Sequence, residues 1–221
     1  MSNTITVNND SGAAQSVVVL VVDPGQPGAF PLVWQSATIQ EGVTHMFDCD
    51  NNTFGFGWGK TNTPIAPGVR FFSRQIQAAD PVGTAGANNC ARLTYCSGGF
   101  SIDTPYLDKT VPDGQLVLAS DQSFNVCDAK NFCIALSLKN VPVMAQQLAP
   151  NTSYYFDPLN ILFYLTVSTA LVGTAVPAPV QNMVCLAISI SNPTLVTFLP
   201  GTTDLAFKLT SNLAFQPDNG S

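Results

Sequence analysis

The sequence predicts an all-β fold, a single-domain antiparallel β-sandwich of about 10–13 short strands with almost no helix. Three observations predict it. Runs rich in Val, Ile, Leu, Phe and Thr, each four to eight residues long, recur between Gly, Pro, Asn and Asp, which is how strands and turns alternate in sandwiches and barrels. No stretch holds an amphipathic helical period over three turns, so no helix is expected to bury a face. The 16 glycines and 16 prolines are scattered evenly, without an internal repeat or low-complexity tract, so nothing marks a second domain.

In chain order the expected strands are Ser16–Val22, Leu32–Gln35, Val43–Phe47, Phe54–Trp58 and Phe71–Gln77. Arg92–Tyr95, Gln115–Ala119, Phe132–Leu138, Ser153–Phe156 and Ile161–Ser168 follow, then Met183–Ile190, Leu195–Phe198 and Leu205–Leu209. Val17–Val22 is apolar at every position, as in a central strand covered on both faces. In Met183–Ile190 the set Val184, Leu186, Ile188 and Ile190 suits a core, while Met183, Cys185, Ala187 and Ser189 face the other way. MAQQLA (Met144–Ala149) is expected to form one short helical turn at most. One domain spanning 1–221 is expected, with residues 1–12 and 216–221 as tails.

The stretch FGFGWGKT, Phe54–Thr61, ends like a phosphate-binding loop. The P-loop needs a glycine where Phe54 stands, and a helix after the motif where this chain has the proline-broken TNTPIAPG. A nucleotide site is therefore set aside. Alternation puts Phe54, Phe56 and Trp58 on one strand face and Gly55, Gly57 and Gly59 on the other. Rings pack into a core on one side, and something approaches the bare backbone closely on the other. Lys60 is expected to be a solvated lysine at the strand end.

Composition narrows the function classes. Charged residues make up 10% of the chain, against roughly 25% in ordinary soluble domains. A surface so poor in charge does little to keep neighbouring molecules apart. The net charge of −6 argues against nucleic acid as a partner, and the pI of 4.4 means that mild acid removes much of the remaining repulsion. No run approaches the roughly 20 apolar residues of a membrane span, so no membrane insertion is expected. MSNTITVNND offers no signal-peptide pattern. Asn-x-Ser/Thr sequons at Asn9 and Asn151 would suit a luminal protein.

No catalytic constellation emerges. His45 is the single histidine, so any Ser-His-Asp or Cys-His site must use it as base. Within VTHMF it shares a face with Val43, Phe47 and Cys49, the setting of a satisfied or edge histidine. The cysteines and His45 match no zinc spacing, and no G-x-S-x-G elbow is present. Asp48 and Asp50 with Asn51 and Asn52 offer oxygens to calcium without the EF-hand pattern, and read better as a turn. Glu41 is the single glutamate. A non-enzymatic protein without catalytic, metal or cofactor-binding residues is the expectation.

The cysteines, Cys49, Cys90, Cys96, Cys127, Cys133 and Cys185, carry the remaining chemistry as disulfide candidates, inter- or intramolecular. Sequence alone leaves their pairing open. Cys90 and Cys96 bracket ARLTY, which reads as a strand, and six steps place them roughly 20 Å apart, whereas a disulfide needs Cα atoms within about 7 Å. They cannot bridge each other unless that stretch folds back, and the even spacing puts both on one face. Cys127 and Cys133 enclose the turn-like DAKN and could close a short loop. Cys49 and Cys185 look buried and inert. The sharper expectation is that Cys90, Cys96 and Cys127 or Cys133 cross-link neighbouring molecules.

Several motifs together resemble the rhizosphere-induced protein family, a bacterial β-sandwich group. They are VNNDSG, LVWQS around Trp34, FGFGWG, APGVRFFSRQ with Phe71, Phe72 and Gln75, then YYFDPLNILFYLTVST and FLPGTTDLAFKLTSN. The sparse charge and the cysteines are similar instead to octins, the octahedral-crystal matrix proteins of mucoralean fungi. That resemblance implies a vacuolar crystal held by intermolecular disulfides, whose sedimentation reports gravity. The expectation is thus a structural protein that self-associates as a homo-oligomer or lattice in the vacuole lumen. The alternatives are a secreted or cytoplasmic location and, for function, a soluble lectin-like module using Trp34 or Trp58.

Overall fold

Thr4–Asn9 opens the fold as β1, with Ile5 and Val7 fully buried and the polar residues between them half-buried. The computed structural model describes residues 3–26, 28–50, 53–82, 88–177, 190–199 and 201–218. β2 is Gln15–Val22, β3 Phe30–Pro31, β4 Val33–Ile39, β5 Thr44–Asp48 and β6 Phe54–Lys60. β7 spans Phe72–Ala79, β8 Cys90–Cys96, β9 Gly99–Ile102 and β10 Leu116–Ser120. A single-turn helix, α1 (Val126–Ala129), precedes β11 (Phe132–Leu138), β12 (Val141–Gln147), β13 (Ser153–Phe156) and β14 (Leu162–Val167). β15 (Ser191–Val196), β16 (Asp204–Leu209) and β17 (Phe215–Pro217) follow.

The all-β class stands, with seventeen strands among the described residues in place of 10–13. β1, β3, β9, β12 and β17 are the additions. The strands form four sheets, ordered β17-β16-β1-β5, β13-β10-β8-β9, β3-β12-β11-β6-β7 and β15-β14-β2-β4. Pairing is antiparallel except for β1 with β16 and β8 with β10, which are parallel. Within the expected tail 1–12, Thr4–Asn9 is instead the paired strand β1, held on both sides by β16 and β5. Gln216 and Pro217, also expected in a tail, belong to β17. Apart from Ile190, the expected strand Met183–Ile190 lies outside the described residues.

All four sheets turn one face into a single core, represented by Ile5, Val19, Phe56, Leu118 and Phe163. Each such side chain contributes about 1.5–3 kcal/mol by leaving water. β2 meets the expectation of a doubly covered strand. Val17, Val19 and Val21 enter that core, while Val18 and Leu20 pack with Val33 and Val176 on the other side.

MAQQLA is not helical. Val143, Met144 and Ala145 are buried in β12, held between β3 and β11, so tertiary pairing overrides local helix preference. Among the described residues the one α-helical turn lies instead where DAKN suggested a plain turn. Its capping box is explicit: the Asn125 side-chain oxygen accepts from the Cys127 and Asp128 amides at 2.8 and 3.2 Å, and the Asp128 carboxylate accepts from the Asn125 amide at 3.0 Å.

Candidate functional site

The glycine side of FGFGWG settles what approaches the bare backbone. A Cβ at Gly59 would lie 2.3 Å from the Phe72 carbonyl oxygen and 2.6 Å from the Phe71 ring, and one at Gly55 would lie 2.7 Å from the Ser137 hydroxyl. Phe71, Ile65, Leu32, Ala135 and Cys133 form a second small core there. At Gly59 the approaching group is thus the chain's own Phe71–Phe72 at the entry to β7, at Gly55 and Gly57 it is the flanking strands β11 and β7, and Phe71 with the small core covers this sheet face.

On the ring side, Phe54 and Phe56 are buried and Trp58 leads to an aromatic cluster centred on Phe100 of β9. The rings of Phe132, Phe124, Tyr95 and Trp58 lie 4.7, 4.9, 4.9 and 5.9 Å from that of Phe100. Gln75 of β7 fastens the cluster. Its side-chain oxygen accepts from the Trp58 indole at 3.0 Å and the Ile102 amide at 2.8 Å, while its nitrogen donates to the Ile102 carbonyl at 3.0 Å. One carboxamide thus joins the edges of two sheets.

Both exposed thiols among the described cysteines are carried by segments that meet at this cluster. Cys96 follows Tyr95 at the tip of the β8–β9 hairpin, and Cys127 lies on α1 between Phe124 and Phe132. A bond from the Tyr95 amide to the Ser123 hydroxyl, 2.7 Å, ties the two segments together. Lys60 places its ammonium 5.0 Å from the Phe132 ring centroid, so it is exposed yet engaged. Lys130 follows α1, and Val126 beside it is 69% exposed.

The other described cysteines are enclosed. Burial pushes the Cys49 and Cys133 thiols up to about 12 and the Cys90 thiol up to about 11, with the Asp48 and Asp108 carboxylates adding to the rise at Cys49 and Cys90. These sulfurs stay protonated and poorly nucleophilic. All five described cysteines are free thiols, so the loop closure considered for Cys127 and Cys133 is not made. Cys133 faces the sealed side of β11 while Cys127 is open to solvent. Cys90 is 3% exposed and cannot meet a neighbouring molecule as it stands. Cys185 lies outside the described residues.

The remaining candidates fall into place. His45 is an exposed residue of the edge strand β5, its ring 4.8 Å from that of Phe47 in a T-shaped contact. Asp48 and Asp50 meet a cation from the protein itself, the Lys139 ammonium at 2.5 and 3.9 Å. Among the described residues no three His, Cys, Asp or Glu side chains gather closely enough to hold a metal. Trp34 is buried in the core and Trp58 is bonded to Gln75, so neither offers an open sugar platform. The sequon residue Asn9 is fully buried and donates to the Ala13 and Ile39 carbonyls at 2.8 Å each, which leaves Asn151 as the exposed one of the two. Sequence reasoning did not find Phe100 and Lys130 as site residues. The alternation in GFSI, with Phe100 and Ile102 buried, was the available signal.

No curated protein and no solved structure matches this chain. One family model, described as RhiA, matches residues 1–212. That span runs from β1 through β16 and takes in both the sealed sheet and the Phe100 cluster. The chain therefore belongs to the RhiA, or rhizosphere-induced protein, family.

Proposed function

We propose that this RhiA-family protein is a non-enzymatic, self-associating structural protein, octin-like in kind. Its copies pack into an ordered or crystalline inclusion in the vacuole lumen, where sedimentation of the crystal serves gravity sensing. The observation that carries this reading is the convergence of the two exposed thiols, Cys96 and Cys127, on one aromatic, cation-bearing end of a sparsely charged molecule. Two features favour association there. Among the described residues the ion pairs engage Lys139 and Lys208, which leaves Lys60 and Lys130 at this end available to an acidic neighbour. The protein's net charge of −6 supplies such a neighbour in another copy.

Cross-linking would then follow by exchange. The thiolate of one copy attacks a small-molecule disulfide and releases one thiol. The thiolate of a second copy attacks the mixed disulfide and releases the other. Light scattering and non-reducing gels at pH 5 and pH 7, with oxidised glutathione, test the reading. The expected result is large species that are more abundant at pH 5, where carboxylate charge falls, with reductant-sensitive cross-links that form faster at pH 7, where more thiolate is present. A monomer at both pH values, indifferent to reductant, would refute it.

A further inference from the structure

The outer face of the sheet β13-β10-β8-β9 stays open, unlike that of the sheet carrying FGFGWG. Leu116 and Leu118 of β10, Ala91 and Leu93 of β8, and Tyr154 and Phe156 of β13 point into the core. Alternation turns Val117, Ala119, Arg92, Ser153 and Tyr155 outward. Two adjoining clefts of about 470 Å³ and about 270 Å³ lie on this face and share Ala119 and Ser153 as their common floor. They form one trough, left vacant because its floor residues are small.

The lining is that of a sugar site more than a protein seat. Tyr106 and Tyr155 border one cleft and are 46% and 51% exposed, so their rings present apolar faces beside polar groups, as the C–H face of a pyranose requires. Arg92, Gln122, Asn151 and Thr152 line the other cleft and offer the donors and acceptors that sugar hydroxyls use. Arg92 forms no ion pair among the described residues. The Asp108 carboxylate is already engaged by the Thr110 amide and hydroxyl at 2.8 and 2.6 Å, and Asp121 by the Ser123 amide at 3.0 Å. Arg92 is therefore the cation of the trough, beside two carboxylates that stay charged but whose acceptor oxygens are turned to Thr110 and Ser123.

We infer that this trough binds an oligosaccharide, with pyranose rings seated on Tyr106 and Tyr155 and a hydroxyl or uronate carboxylate held by Arg92. The site lies apart from the buried tryptophan Trp34 and is independent of the self-association proposed above.

Titration calorimetry of the full chain with cellohexaose and with hexagalacturonate tests the inference, alongside Tyr106→Ala, Tyr155→Ala and Arg92→Met. Binding of at least one hexamer is expected. Each tyrosine variant should weaken it about tenfold with the thermal midpoint unmoved, since both rings are solvent-facing. Arg92→Met should abolish any preference for the uronate while leaving the neutral hexamer's affinity within about threefold. Two results would overturn it: no heat with either hexamer at millimolar concentration, or binding that all three variants leave intact.

Discussion

The two sheets on either side of the Phe100 cluster share that inner filling and differ in what covers their outer faces. The β3-β12-β11-β6-β7 sheet is closed by its own chain, with Phe71 pressed onto Gly59 and Cys133 shut beneath. The β13-β10-β8-β9 sheet leaves Ala119, Ser153 and Arg92 open to solvent. The contrast separates structural cysteines from available ones. Cys133 sits under the cover, and Cys96 emerges at a hairpin tip on the open sheet.

The strongest way to break this comparison is to enlarge one small side chain on each face. Gly59→Ala forces a Cβ into the Phe72 carbonyl and the Phe71 ring, and should destabilise the protein by about 2–3 kcal/mol in urea unfolding. Ala119→Val on the open floor should stay within about 0.5 kcal/mol. Equal effects at the two positions would show that the cover is not tight.

A smaller effect, dependent on pH, is expected at Asp23. Its carboxylate is 4% exposed and accepts from the Gly25 and Asp157 amides at 2.8 and 2.9 Å. Burial is the main cause that holds its pKa above the ordinary 3.8, against the opposing pull of those two amides. The folded state thus holds this proton more firmly than the unfolded chain. The associated stability is complete below the ordinary carboxylate range and is lost as pH rises through the raised value. Asp108 and Asp204 act in the opposite sense, their carboxylates lowered chiefly by threonine hydroxyls, so their contributions are lost only as pH falls below the ordinary range. Relative to Asp23→Asn, the wild-type melting temperature should climb as pH is brought from 7 to 4. A constant difference between the two proteins would contradict the assignment.

The least effect is expected beneath the cover, at Thr61. Its hydroxyl is buried and meets no hydrogen-bond partner among the described residues, although the Cys133 thiol lies nearby. Thr61→Val should change unfolding free energy by no more than about 0.5 kcal/mol, or stabilise, because no bond is lost and a polar atom leaves the core. A loss above about 1.5 kcal/mol would reveal a bond to the thiol of real strength.

Much of the fold was legible in local pattern, and the misses share a cause. Phe132–Leu138 and Ser153–Phe156 have the boundaries expected from the sequence, and β2 is doubly covered because its outward Val18 and Leu20 are as apolar as its inward valines. β1 escaped because TITVNN carries just two large apolar residues, and its parallel partner β16 lies some 200 residues away. β12 escaped because Met, Ala and Gln favour helix until β3 and β11 flank them. The β8–β9 and β11–β12 hairpins turn through Ser97-Gly98 and Lys139-Asn140, all at positive φ, without the Asn-Gly signal that announces such turns. The thiols teach the same lesson. Even spacing put Cys90 and Cys96 on one face of β8, yet Cys90 is covered by a bridge to Tyr106 and Cys96 is open. Spacing gives the face, and distant chain gives the cover.

Peptide mapping of oxidised oligomers, without reduction, tests the central claim most directly. Among the five described cysteines, intermolecular cross-links should be confined to Cys96 and Cys127, and the Cys96→Ser/Cys127→Ser double variant should lose them while keeping its melting temperature. Cross-links through Cys49, Cys90 or Cys133, or oligomers that survive unchanged in the double variant, would contradict it.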